Sequence, residues 1–165
     1  MSRLEDLTHR FLTQRAALDL GVELIADIDG IIVELGLGKG RTFDHLRERL
    51  SGRTIYVFDH ELSCEPEYAP APEYRMFGNI TETLPAFCER FSGQAALIHS
   101  DVGTRDREHD QPLVDFIATQ LETLITAGGV IVSDRPMQQR GWSTLPSLRE
   151  MEHFPYFMYR QKSVS

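Results

Sequence analysis

A chain of 165 residues, 41% hydrophobic and 25% charged, has the size and make-up of one globular domain with a single substantial core. Its net charge of −8 argues against broad binding to nucleic acid or anionic membranes, which need a basic face. Cys64 and Cys88 show no metal-type spacing, charged residues interrupt the N-terminus, and no apolar run spans a membrane, so a cytoplasmic protein with reduced thiols is expected.

Residues 2–28 read as helix, with Leu4, Leu7, Phe11, Leu18, Val22, Ile25 and Ile28 at helical spacing and Gly21 as a break point. Asp29-Gly30 turns into a first strand at Ile31, and Gly36, Gly38 and Gly40 follow at alternate positions. Arg41 to Leu50 reads as a helix with Phe43, Leu46 and Leu50 on one face, stopped at Ser51-Gly52. Thr54 to Phe58 is a second strand ending in Asp59-His60-Glu61. Pro66, Pro70 and Pro72 mark residues 63–73 as loop. Tyr74 to Phe77 is a third strand, followed by Gly78-Asn79-Ile80 and a helix over 81–91. Ala95 to Ser100 is a fourth strand ending at Asp101, and the charged run 105–110 reads as a solvated loop. Leu113 to Ala127 is an amphipathic helix capped by Gly128-Gly129, and Val130 to Ser133 a fifth strand ending at Asp134. Trp142 and Pro146 fall in a loop. Phe154 to Tyr159 is a last strand with Pro155 at its start or on an edge.

Repeated β-α units predict an α/β fold: one doubly wound Rossmann-like sheet, mostly parallel, of six to seven strands, with helices on both faces. Residues 1–29 would form a helical cover, 30–135 the binding core, and 136–165 a loop and last strand, all in one domain.

A strand, a glycine turn and a helix start make a nucleotide-type loop, because glycine accepts positive φ and lets a ligand lie against the backbone. A dinucleotide fingerprint needs a third glycine where Arg41 stands, and a P-loop needs Ser or Thr after Lys39, where Gly40 stands. What remains is Glu34-x-Gly36-x-Gly38-x-Gly40. Asp59 lies 19 residues beyond Gly40, near the ~20-residue spacing at which a carboxylate can accept both hydroxyls of a ribose.

This pattern resembles motif I of the class I S-adenosylmethionine-dependent methyltransferases. The segment Gly78-Asn79 to Leu84-Pro85 is similar to one in the catechol-type O-methyltransferases, with Asn79 where that group has an acid. The resemblance covers roughly residues 20–135. It implies S-adenosyl-L-methionine as cofactor, with contacts from Glu34, Gly36, Leu37, Gly38, Gly40, Thr42, Asp59, His60, Asn79, Ile80 and Asp101. Glu61 is the ribose alternative should the strand run further, and capping a helix the other role for Asn79. The N-terminal helix is a plain cover or a lid, with Gln14 and Arg15 reaching the methionine carboxylate. Asp101 and His60 are the catalytic candidates; His99, inside a strand, is expected to be a satisfied core residue. No metal is expected. Asp101 and Asp134 are the alternative pair for a magnesium-type ion, but Arg135 is a poor third ligand. The Asn-Pro-Pro-Tyr type of sequence is absent, which favours a small-molecule acceptor. The family also implies a homodimer. The competing readings are a non-catalytic S-adenosylmethionine-binding protein and an NAD-binding oxidoreductase.

Overall fold

The computed structural model describes residues 1–104 and 106–163. Seven strands form one sheet: β1 (Ile31–Leu35), β2 (Ile55–Asp59), β3 (Arg75–Phe77), β4 (Ala95–Ser100), β5 (Ile125–Ser133), β6 (Trp142–Thr144) and β7 (Phe157–Gln161). Their order is β3-β2-β1-β4-β5-β7-β6. The first five are parallel, and β7 runs antiparallel to both β5 and β6. Strand order reverses between β1 and β4, and in open α/β sheets the ligand crevice lies at that point, outside the carboxyl ends.

The helices follow from the strand pattern. Central strands are apolar on both faces: Ile32 and Leu97 pack on one side, Val33 and Ile98 on the other. The first face is covered by α1 (Arg3–Leu24) and α2 (Arg41–Arg49), through Ala17, Leu18 and Leu46. The second is covered by α3 (Ile80–Arg90) and α4 (Arg107–Leu124), through Leu84, Phe87, Ile117 and Leu121. Burying each of these leucine, isoleucine and phenylalanine side chains is worth about 1.5–3 kcal/mol.

Several boundaries differ from the sequence reading. Ser2 caps α1 reciprocally with Glu5, and the helix ends at Leu24 rather than residue 28. Gly21 does not break it. A Cβ there would lie 3.0 Å from Leu97 Cδ1, so this glycine lets α1 press onto the sheet. Of the run expected to be a loop at 105–110, residue 105 lies outside the described residues and 107–110 form the first turn of α4, because Asp106 accepts the His109 N–H at 3.0 Å and starts the helix before Pro112. Gly128-Gly129 do not cap α4. They lie inside β5, which leaves the helix directly at Ile125. At Gly129 a Cβ would lie 3.0 Å from the Ala95 carbonyl oxygen, where the β4–β5 register shifts. β6 is the strand the sequence did not give. The segment expected to be loop at 63–73 holds two short 3₁₀ turns, Pro66–Tyr68 and Pro72–Tyr74, the second taking Tyr74 out of the third strand.

Candidate functional site

A cleft of about 710 Å³ opens on the carboxyl edge of the sheet. Its lining comes from α1, the β1–α2 loop, the ends of β2, β3 and β4, and the first turns of α4.

The loop end is built from backbone. Gly36, Gly38 and Gly40 have φ of +95°, +50° and +77°. A Cβ at Gly36 would lie 2.4 Å from the Asp101 carbonyl oxygen, and one at Gly40 would lie 2.9 Å from that of Tyr68. A Cβ at Gly38 would meet no described atom within 4 Å. Gly36 and Gly40 therefore serve the chain's own packing, while Gly38 turns bare backbone toward the cleft. Asp59 holds this loop to β2: its Oδ2 accepts the N–H groups of Leu37 and Gly38, both at 2.9 Å, and its Oδ1 accepts that of His60 at 2.6 Å. His60 is exposed on the cleft wall. Gly78 and Ile80 line the far side of this end, but Asn79 does not. Asn79 caps α3, accepting the Thr81 N–H at 3.1 Å and the Thr81 hydroxyl at 2.9 Å.

The other end is built from side chains. Asp101, just past β4, accepts Arg10 Nη2 at 2.8 and 3.1 Å and Gln14 Nε2 at 2.7 Å, so both its oxygens are engaged by α1. Gln14 also donates to the Tyr156 hydroxyl at 3.2 Å, which bonds His99 Nε2 at 2.8 Å. His99 Nδ1 meets Glu34 Oε2 at 2.8 Å, and Glu34 accepts the Thr42 hydroxyl through its other oxygen. Glu34 and His99 are both 0% exposed. Burial pushes the His99 imidazole down, but the Glu34 carboxylate outweighs it and the net shift is upward. Glu34 thus lies beneath the cleft, not on its wall, tying α2 and β1 to β4 and the tail.

Asp134, at the end of β5, bonds Arg135 through Oδ2, while Oδ1 is buried without a hydrogen-bond partner among the described residues. Burial, then the nearby Asp101 charge, push its carboxyl up to about 7. Arg135 also reaches Asp110 at 3.2 Å and the Thr104 carbonyl oxygen at 2.6 Å. Asp101 and Asp134, the alternative metal pair, each face a guanidinium, and no group of three metal-type ligands occurs among the described residues.

The chain matches a family model described as S-adenosyl-L-methionine methyltransferase over residues 1–161. The chain belongs to that family. The crystal structure of an S-adenosyl-L-methionine methyltransferase from Silicibacter pomeroyi DSS-3 is 37% identical, with a TM-score of 0.90, covering 98% of this chain and 99% of that one. The Burkholderia thailandensis 1,6-didemethyltoxoflavin-N1-methyltransferase, solved with S-adenosylhomocysteine bound, shares the fold at 14% identity and a TM-score of 0.56, over 93% of this chain and 81% of that one. No curated protein matches the sequence.

The methyltransferase uses S-adenosyl-L-methionine, and its cleft suits that molecule. The volume lies within the ~300–1,000 Å³ of small-ligand sites. Gly38 leaves room for a ligand against the backbone, Asp59 offers carboxylate oxygens, and Arg10, Lys39 and Arg41 are cationic side chains on the wall. Gln14 reaches the cleft as the lid reading expected, but Arg15 is exposed and outside it. Sequence reasoning missed Arg10, Phe11, Val102, His109 and Leu113 on the wall and Tyr156 beneath it. The signal for α1 was in its phase, since Leu7, Phe11 and Gln14 recur at i, i+4 and i+7 on one face. Tyr156 had none, because its partners lie 142 and 57 positions away.

Proposed function

We propose that this single-domain methyltransferase binds S-adenosyl-L-methionine along the carboxyl ends of β3, β2 and β1 and methylates a small molecule entering between α1 and α4. The carrying observation is Gly38, open on the cleft side, fixed by Asp59 from the neighbouring strand. In this reading Asp59 accepts from the ribose, with His60, Gly78 and Ile80 around the base. The Gly36-Leu37-Gly38 turn supports the methionyl portion, with Gly40 and Thr42 shaping it. Asn79 contributes by starting α3 beside Ile80, and Glu34 acts through Thr42 and His99 rather than by touching the cofactor.

The bound cofactor supplies a methyl group already activated on a sulfonium, so the protein's task is to align an acceptor and exclude water. Asp101 is held by Arg10 and Gln14, which suits a fixed negative charge at the reacting end better than a proton acceptor. His60 has an exposed ring with no hydrogen-bond partner among the described residues and is the base candidate for an acceptor that must lose a proton.

A small acceptor is supported by the shape of the open end, where Leu7, Phe11 and Leu113 give apolar surface beside His109. The net charge of −8 disfavours a nucleic-acid partner. Two free cysteines suit a reducing, cytoplasmic setting. No described helix is long and apolar enough to cross a membrane. The exposed Leu4 and Leu12 on α1 offer surface for the homodimer the family implies.

Calorimetric titration should show saturable binding of S-adenosyl-L-methionine and none of NAD, with binding largely lost in Asp59→Ala. Binding of NAD instead would overturn the cofactor assignment. With isotopically labelled cofactor and whole-cell extract, label should appear in the low-molecular-mass fraction. Label confined to protein or RNA would contradict the small acceptor.

A further inference from the structure

Three cationic side chains longer than histidine line the cleft, and they are not equivalent. Arg10 is neutralised by Asp101 at 2.8 Å. Lys39 turns its Nζ to the Ser63 carbonyl oxygen at 2.8 Å. Arg41, itself exposed, has no carboxylate partner among the described residues, and its guanidinium carbon lies over the Phe11 ring, 5.4 Å from the centroid. Phe11 is 42% exposed for an aromatic residue, and it too lines the cleft. A guanidinium resting on an aromatic ring is held by its face, which leaves the N–H groups on its edge free. A planar fork of free donors is the group best matched to a carboxylate, which it can take through two parallel hydrogen bonds.

We propose that Arg41, held by Phe11, recognises the α-carboxylate of the cofactor and so selects for the amino-acid end of S-adenosyl-L-methionine. This rests on the cleft assignment above. With the base over β3 and the ribose at Asp59 on β2, the remaining half of the molecule runs over β1 toward β4; Arg41 opens α2 directly after the β1 loop, Asp101 follows β4, and both line the cleft with Phe11. The sequence singles out the same residue, because Arg41 occupies the slot where a dinucleotide fold needs glycine. A long cation there obstructs that packing. On this account it also gives the loop a donor for a group that dinucleotides lack at this point. The Phe11–Arg41 contact joins α1 to α2 across the glycine turn, so the cover helix contributes to the site without touching the carboxylate itself.

The test compares S-adenosylhomocysteine with 5′-methylthioadenosine, which keeps the nucleoside and sulfur but lacks the amino-acid portion. Both are titrated calorimetrically into wild type, Arg41→Ala, Arg41→Lys and Arg10→Ala, each checked for an unchanged far-UV spectrum. Arg41→Ala should weaken S-adenosylhomocysteine about tenfold or more, the scale of one charge-assisted pair, and leave methylthioadenosine unchanged. Arg41→Lys should recover part of the loss. Equal weakening of both ligands would mean Arg41 only shapes the loop and would overturn the proposal. So would no change in either, or the selective loss appearing in Arg10→Ala instead. Wild type that binds neither ligand would overturn the cleft assignment and this inference with it, whereas wild type that binds both equally well would overturn this inference alone.

Discussion

The two ends of the cleft are made by different means. At the β2–β1 end the geometry is held by backbone: positive-φ glycines, and a single carboxylate that accepts three N–H groups. At the β4–β5 end it is held by a chain of side chains, from Arg10 through Asp101, Gln14, Tyr156 and His99 to Glu34, drawn from both ends of the sequence. Backbone gives a fixed cradle for an invariant molecule. A side-chain network can be retuned by substitution, which suits the end where an acceptor must be chosen. The contrast predicts that damage at the two ends will look different.

The largest effect should come from the network. His99→Leu leaves the Glu34 carboxylate buried without its ring partner and should cost about 3–5 kcal/mol in urea denaturation. The double change Glu34→Leu with His99→Leu should recover much of that. If the double variant were no more stable than the single one, the buried pair would not be the reason for the loss. Next comes Gly36→Ala, which forces a Cβ onto the Asp101 carbonyl oxygen at a φ of +95° and should cost at least about 2 kcal/mol. Asp59→Asn keeps an oxygen for the loop N–H groups. Its stability should stay within about 1 kcal/mol of wild type, while affinity for S-adenosyl-L-methionine falls about tenfold. An equal loss of both would reduce Asp59 to a loop brace.

The network also makes a pH prediction. Asp134 is pushed up to about 7, so the fold favours its protonated form. Stability from this group is full below its ordinary value near 4 and is lost as pH rises through about 7. Asp134→Asn should remove a decline of about 1 kcal/mol or more over that window, read from urea midpoints at successive pH values. A slope that survives the substitution would assign the titration elsewhere. Gly38→Ala should have only a small effect on folding. With open space around it, only the positive φ resists, at a cost of about 1 kcal/mol, yet cofactor affinity should drop because the methyl group enters the cradle.

The same contrast explains what could be read from the sequence. The backbone end was legible because its requirements are local: alternate glycines after a β-branched strand, then an acid one strand later. The network end was not, because Gln14, His99 and Tyr156 carry no local signal of the contacts they make across the fold. His99 was expected to be a satisfied core histidine, and it is one, though its partner Glu34 was expected at the cofactor. Arg135 was read only as a poor metal ligand, and it turns out to hold Asp134, Asp110 and the Thr104 carbonyl together. The Gly-Gly at 128–129 was misread for a physical reason: glycine after an amphipathic run ordinarily stops a helix, and here it eases a register shift in β5. β6 holds one buried apolar residue, Trp142, followed by exposed Ser143 and Thr144, so no apolar run marks it.

The most direct measurement is a crystal structure with S-adenosylhomocysteine bound. The methionyl portion should lie on the Gly36-Leu37-Gly38 turn, the ribose hydroxyls on Asp59, and the base beside Ile80. A ligand seated elsewhere, or ribose hydroxyls held by Glu61 with Asp59 still bound only to its loop, would contradict this placement.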